Sequence, residues 1–224
     1  MKSYAVIDLG SNSFCLRIYQ QAPHEAPQEV LRLKEAIKLY HGLDEQDAIS
    51  DEKISQVQHC FEHFAQAIKD YKVPKAQSRI IGTYTLRQAS NSDEIEALSQ
   101  KLLGLDVDII SGKEEARLVY KGAQMHWPHE KMLVVDIGGG STEIIKGQGP
   151  NIEHYHSYNL GSASLSKQYF NTNLIDAQQF EQAIHAAKNH IQETMKAFGS
   201  VKGYQCIGAS GTIRTIAALA SGEE

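Results

Sequence analysis

Apolar residues recur along this chain in two rhythms. Between residues 51 and 70, Ile54, Val57, Phe61, Phe64 and Ile68 stand three or four apart, which places them on one helical face. Ser50 stands where an N-cap belongs, with Asp51 and Glu52 in the first turn. Residues 177–198 repeat the pattern with Phe180, Ile184, Ala187, Ile191, Met195 and Phe198, and Asp176 with Gln179 has the spacing of a capping box. Shorter apolar runs predict strands. Ala5-Val6-Ile7, a turn at Gly10-Ser11-Asn12-Ser13 and Phe14–Tyr19 read as a β-hairpin. Leu133–Val135, a turn at Gly138–Ser141 and Thr142–Ile145 read as another. A third strand is expected after each, near Glu29–Leu39 and Ile152–Tyr158, and further strands near 79–82 and 204–207.

These elements form a repeat. Asp8-Leu9-Gly10 recurs as Asp136-Ile137-Gly138, 128 residues on, and Ile81-Gly82 recurs as Ile207-Gly208, 126 residues on. Two motifs in one order at nearly one offset predict two similar domains. The expected fold is α/β, a β-β-β-α-β-α unit used twice, with mixed sheets covered by helices. Domain I is set at 1–125 and domain II at 126–224, with Pro128 marking the junction. Domain I continues through a helix at about 93–103, a strand near Val107–Ile110 and a helix at about 112–125. No copy of that last strand and helix follows in domain II, which is therefore expected to be truncated.

Composition narrows the class. The 224 residues are 42% hydrophobic and 22% charged, enough for a packed core. A net charge of −5 argues against DNA as a partner but not against a local anion pocket. Cys15, Cys60 and Cys206 are odd in number and widely spaced, and are read as buried thiols in a reducing compartment. An acid as early as Asp8 argues against a signal peptide, and no run approaches the length of a membrane helix, so a cytoplasmic address is expected. His59 and His63 have the spacing of a zinc pair, but no third ligand is evident and they are read as surface residues.

Gly138-Gly139-Gly140 is not a dinucleotide loop, because a strand rather than a helix follows it. Gly112-Lys113 is not a P-loop, since Glu114 follows and no glycine stands five residues earlier. What remains is a β-turn-β loop whose small residues let backbone N–H groups reach an anion. An Asp at the strand end before each loop can face a metal. Two such loops facing one another would hold a phosphate chain from both sides of an interdomain cleft.

At these residues the chain resembles the exopolyphosphatase/guanosine pentaphosphate phosphohydrolase (Ppx/GppA) family of the actin-like ATPase superfamily. The resemblance rests on Ala5–Phe14, Gly82–Ala89, Ile110–Leu118, Val135–Glu143 and Gly208–Ile213, in the family's order. The Ser111-Gly112-Lys113-Glu114-Glu115-Ala116-Arg117 segment sets it apart from kinases and chaperone ATPases. It implies duplicated actin-like (ribonuclease H-like) domains. It also implies hydrolysis of the terminal phosphoanhydride of inorganic polyphosphate with release of orthophosphate. The alternative within the class is removal of the 5′-γ-phosphate of guanosine pentaphosphate. The alternative of another class is a non-catalytic regulatory module that binds polyphosphate or an alarmone. An actin-like ATPase or sugar kinase is opposed by the Ser111–Glu115 segment.

The resemblance also assigns residues. Glu115 is the implied general base that deprotonates water, while Glu114 has capping-box spacing from Ser111. Asp136 and Glu143, with Asp8 as a further candidate, are implied ligands of Mg²⁺, or Mn²⁺ in its place. Arg87 offers a fixed fork to phosphate oxygens as a catalytic partner. Gly10, Ser11, Asn12 and Ser13 are phosphate-binding candidates, as are Gly138, Gly139, Gly140, Ser141 and Thr142. Gly208, Ser210, Gly211 and Thr212, ahead of a helix, complete that set. Lys113 and Arg214 could extend a positive track or be ordinary surface residues. A membrane partner is not expected, and a homodimer is left open.

Overall fold

The computed structural model describes residues 1–170 and 176–222 of the chain, which divides into two units, Met1–Ile110 and Ser111–Glu224. Unit 1 begins with three antiparallel strands, β1 (Lys2–Leu9), β2 (Phe14–Gln21) and β3 (Gln28–Glu35). Then follow α1 (Asp51–Asp70), β4 (Ser78–Gly82), α2 (Tyr84–Gln88), α3 (Ser92–Leu102) and β5 (Val107–Ile109). The sheet order is β3-β2-β1-β4-β5, with β4 parallel to both β1 and β5. The third strand is shorter than expected. It ends at Glu35, and Leu39–Gly42 forms a 3₁₀ turn.

Alternation along β1 and β2 sends Ala5, Ile7, Leu9, Phe14, Leu16 and Ile18 into the core. There they meet the predicted face of α1, where Val57, Phe61 and Phe64 are fully buried. Helix α1 spans the predicted residues, and Ser50 occupies the N-cap with extended backbone, but its hydroxyl makes no capping bond.

Unit 2 begins one helix earlier than the expected boundary at 125. Helix α4 (Gly112–Gln124) packs on β6 (Lys131–Ile137), β7 (Thr142–Gln148) and β8 (Asn151–Tyr158). Its Ala116 and Tyr120 are buried with Met132, Val134 and Ile145, so its apolar face belongs to the second sheet. After β8 come α5 (Ser162–Tyr169), α6 (Ala177–Phe198), β9 (Gln205–Ala209) and α7 (Ser210–Ser221). The sheet order is β8-β7-β6-β9, with β6 and β9 parallel. Asp176 and Gln179 form the predicted capping box. The far half of the α6 stripe, Ala187, Ile191, Met195 and Phe198, covers Ile144, Tyr158 and Leu160. The near half does not, and Phe180 and Ile184 are exposed.

Each unit contains the same close approach of strand to helix. A Cβ on Gly82 would lie 2.7 Å from Leu86 Cδ1, and one on Gly208 would lie 2.2 Å from Ile213 Cγ2. In each, glycine lets the strand's end approach the helix that follows.

The cysteines depart from the expectation of three buried thiols. All are free, but only Cys60 is buried. Cys15 is half-buried, and Cys206 is exposed on edge strand β9. Burial, with the Glu35 carboxylate beside it, pushes the Cys60 thiol far up. His59 Nδ1 meets the Ser55 carbonyl and His63 pairs with Glu35, so both work locally on the surface. Among the described residues no helix is long and apolar enough to cross a membrane.

Phe61 stacks on Phe14 with ring centroids 6.2 Å apart in this core. Replacing Phe61 with Ala should lower the unfolding free energy by about 3–5 kcal/mol, read from urea denaturation. A loss under about 1 kcal/mol would mean that α1 is not packed as described.

Candidate functional site

Each hairpin turn is held from behind through its carbonyl oxygens. In unit 2 the Gly138 carbonyl accepts from Ser162 N (3.0 Å), and the Gly139 carbonyl from Ala163 N (2.7 Å) and Ser164 N (3.1 Å). The Gly140 carbonyl accepts from the Ser164 hydroxyl at 3.3 Å. These donors are the N-terminal groups of α5, which a helix leaves without internal partners. In unit 1 the Asn12 carbonyl accepts from Lys38 N (2.8 Å) and the Ser11 carbonyl from Tyr40 N (3.1 Å).

Among the described residues all peptide bonds are trans, so each N–H points opposite to the carbonyl in its own peptide plane. With these carbonyls turned inward, the N–H groups of Asn12 and Ser13, and of Gly139, Gly140 and Ser141, point away from the bracing segments. That is the arrangement of an anion nest. Gly10 and Gly138 serve differently. The Gly138 N–H closes its turn on the Ser141 carbonyl at 2.9 Å. A Cβ at Gly10 or Gly138 would lie 3.0 or 3.1 Å from the carbonyl oxygen that ends the turn.

Most candidate hydroxyls work inside the protein. Ser11 Oγ accepts from Thr85 Oγ1 at 2.8 Å, and Thr142 Oγ1 donates to the Leu160 carbonyl. Ser210 Oγ donates to the Ile137 carbonyl at 2.5 Å, and Ser210 itself has φ of 67°, a strained conformation for a residue with a side chain. Gly208 lies in β9 and Ser210, Gly211 and Thr212 open α7, so the predicted strand-to-helix turn is present.

Three carboxylates gather in unit 2. Asp136 and Glu143 are directly paired across β6 and β7. Glu143 is 1% exposed, and its Oε1 accepts from Ser157 Oγ at 2.7 Å. Burial, and then the negative charge of Glu115, push the Glu143 carboxyl up to about 7, against the opposing pull of the Ser157 and Ser141 hydroxyls. Burial also raises Asp136 above the usual carboxylate range, with Ser210 acting the other way. Asp136 Oδ1 is buried without a hydrogen-bond partner.

A buried acceptor without a donor, paired across the strands with a second carboxylate, is chemically suited to a divalent cation. Among the described residues no group of three or more His, Cys, Asp or Glu side chains is placed to hold a metal ion. Mg²⁺ needs only one or two carboxylates, the rest of its shell being water and phosphate oxygen.

Ser111 caps α4 by accepting from Glu114 N at 3.2 Å. The Glu114 carboxylate does not complete a capping box. It turns to Arg117, 2.6 Å from Nε, which lowers its pKa. Neighbouring Glu115 lies close enough to Glu143 to act on it. Asp8 and Arg87 belong to unit 1. Asp8 is exposed at the end of β1, opposite Cys15 and Ile81. Arg87 donates from Nη1 to the Ile110 carbonyl at 2.7 Å and lies 5.8 Å over the Tyr84 ring. Lys113 lies 5.8 Å over the Tyr155 ring, and Arg214 is exposed on α7. A hollow of about 600 Å³ lined by Lys75, Arg79, Leu105 and Asp106 lies at the other end of the parallel strands from Gly10 and holds none of the candidates.

The sequence reading passed over several supporting residues. Gly161 is the sharpest case, since a Cβ there would lie 2.2 Å from the Gly139 carbonyl oxygen. Its neighbours Ser162 and Ser164, the hydroxyl of Ser157, and Thr85 were missed too. A glycine and two serines at a helix start were the only local signal.

The buried Glu143 makes stability depend on pH. Its pKa is higher folded, about 7, than unfolded, about 4.5, so the folded state holds its proton longer. Stability therefore falls as pH rises through that window and stays low above it. With chelator present, Glu143→Gln should be more stable than the parent by on the order of 3 kcal/mol at pH 8. The advantage should vanish near pH 4.5. Urea titrations at both values check this, and a pH-independent difference would contradict the burial of the charge.

The profile of the Ppx/GppA phosphatase family matches residues 17–224. A curated relative from Photobacterium profundum, named guanosine-5′-triphosphate,3′-diphosphate pyrophosphatase, is 37% identical over 95% of this chain and 42% of its own length. The chain thus spans about two-fifths of that relative. A crystal structure of an exopolyphosphatase from Cytophaga hutchinsonii is 26% identical, with a TM-score of 0.88 over 97% of this chain and 70% of the other. The Aquifex aeolicus Ppx/GppA enzyme, 24% identical over 99% of this chain and 72% of the other with a TM-score of 0.77, shares the fold. The repeat of mixed sheets is the actin-like fold those structures share, and a match that runs from β2 through the carboxylates to α7 places this chain in the Ppx/GppA phosphatase family.

Proposed function

We propose that this chain hydrolyses a terminal phosphoanhydride, with the 5′-γ-phosphate of guanosine pentaphosphate as the preferred target. The observation that carries the reading is the joint placement of Asp136, Glu143 and Glu115 in unit 2 with a glycine turn whose amides point away from its bracing helix. The curated relative's name supports the nucleotide substrate. The name of the Cytophaga hutchinsonii structure supports a second reading, release of orthophosphate from polyphosphate.

In this mechanism the amides of Gly139, Gly140 and Ser141 donate to oxygens of the terminal phosphate. Glu115 holds the attacking water and takes its proton as the new oxygen–phosphorus bond forms and the bridging phosphoanhydride bond breaks, which frees orthophosphate and leaves the bridging oxygen on the shortened phosphate chain. Asp136 and Glu143 would hold Mg²⁺, which supplies neutralisation of charge on the leaving phosphate. Arg87 and the Asn12 and Ser13 amides are a second set of phosphate contacts, with charge and a planar fork in the first and backbone donors in the second.

Orthophosphate release should be measured from guanosine pentaphosphate and from polyphosphate side by side. Faster release from the nucleotide is the expected result, and faster release from polyphosphate would reverse the preference. Binding of both with hydrolysis of neither would favour a regulatory binding module.

Glu115→Gln should lower kcat by about 10²–10⁴-fold, with KM unchanged or lower. Glu114→Gln should lower kcat far less, because Glu114 is engaged with Arg117. If Glu114→Gln is the inactive variant, the base has been misassigned. Activity should also cease in chelator. Asp136→Asn should raise the Mg²⁺ concentration needed for half-activity, since a neutral ligand replaces a charged one. Undiminished turnover in chelator would remove the metal from the scheme.

A further inference from the structure

The interior of unit 1 holds a pair of hydroxyls with no place in the scheme above. Thr85, the second residue of α2, is 0% exposed and donates from Oγ1 to Ser11 Oγ at 2.8 Å. Ser11 is 5% exposed and lies in the first glycine turn. The bond joins segments 74 residues apart.

Ser11 is held at both of its polar ends. Its side-chain oxygen accepts from the Thr85 hydroxyl, and its carbonyl accepts from the Tyr40 N–H. The carbonyl bond fixes the plane of the peptide that carries the Asn12 N–H. The contacts close on themselves, because the Tyr40 ring lies 5.9 Å from the ring of Tyr84, next to Thr85. Tyr84 in turn has the Arg87 guanidinium 5.8 Å over its face, and the same guanidinium is fastened to the Ile110 carbonyl. The Thr83 N–H, just before α2, bonds the Leu9 carbonyl at the end of β1.

We propose that Thr85 is a positioning residue, whose bond to Ser11 locks the Gly10–Ser13 turn to the helix carrying Arg87. The turn amides and the guanidinium are then presented to a phosphate chain as one rigid set. The proposal rests on the phosphate reading above. A loose turn would cost binding because such donors act only within a narrow geometric tolerance. Deleting the Thr85 hydroxyl also leaves Ser11 with a buried, unfilled acceptor, which favours a turn displaced toward water.

The test uses the full chain with inorganic tripolyphosphate as probe. Binding is measured by calorimetry, and hydrogen exchange is followed at residues 10–13. Thr85→Val keeps the shape and removes the donor, while Thr85→Ser keeps the donor. Thr85→Val should weaken binding about tenfold and speed exchange in the turn, and Thr85→Ser should stay within about twofold of the parent. In combination with Arg87→Ala, Thr85→Val should cost less than it does alone, since one set is already broken. Parent-like binding by Thr85→Val, equal losses in the Val and Ser variants, or strictly additive losses with Arg87→Ala would each overturn the proposal. If Thr85→Val fails to fold, the serine variant's affinity and turn exchange decide instead, and a loss beyond twofold with parent-like folding counts against the lock. Tripolyphosphate binding without hydrolysis of any substrate defeats the functional reading and leaves the lock standing. Absence of binding by the parent defeats both.

Discussion

The planarity of the peptide bond governs the candidate site. A turn of small residues carries carbonyls on one side and amides on the other, and what occupies one side dictates what the other can meet. In both turns the carbonyls are taken by amides that follow the hairpin, from Lys38 and Tyr40 in one unit and from Ser162 to Ser164 in the other. The bracing is therefore duplicated along with the hairpins, although the segments supplying it differ, a 3₁₀ turn in one and the start of α5 in the other. Gly161 shows how tight the second brace is, since its Cα approaches the Gly139–Gly140 backbone too closely for any side chain.

Against that fixed frame the second unit carries an electrostatic stress. Asp136 and Glu143 face each other across two hydrogen-bonded strands, where the sheet leaves neither room to retreat. Hydroxyls from Ser157 and Ser141 relieve Glu143 in part, while Asp136 keeps an oxygen without a donor. Such a cluster persists only because the sheet and the helices over it are stable enough to bear it. The first unit is arranged differently. Its Asp8 is exposed, and its buried polar pair, Thr85 and Ser11, is neutral and mutually satisfied.

Long periodic segments were legible in the sequence. Helices α1 and α6 begin and end where their apolar spacing predicts, and both hairpins fall on the repeated glycine motif. Helices α2 and α5 were not, since five and eight residues give too little repetition to mark a face. The unit boundary was misplaced because α4 is amphipathic whichever sheet it covers, and only the contacts of Tyr120 and Ala116 decide. Among the candidate residues, Glu115, Asp136 and Glu143 were reached through the family resemblance rather than from spacing alone. The residues that brace the two turns and Glu143 could not be named from the sequence, because Gly161, Ser157 and Thr85 matter through partners 14 to 74 residues away.

Two of the three thiols give the chain an internal clock. Cys206 lies open on an edge strand, whereas Cys60 is enclosed among Phe61, Phe64 and the inner face of the first sheet. A thiol reagent reacts with thiolate, so Cys60 is protected twice, by exclusion of the reagent and by its suppressed ionisation. Its modification can proceed only through opening of the first unit's core, while Cys206 reports the reagent's intrinsic speed in the same tube. The ratio of the two labelling rates measures how often that core breathes, without denaturant and without a substrate.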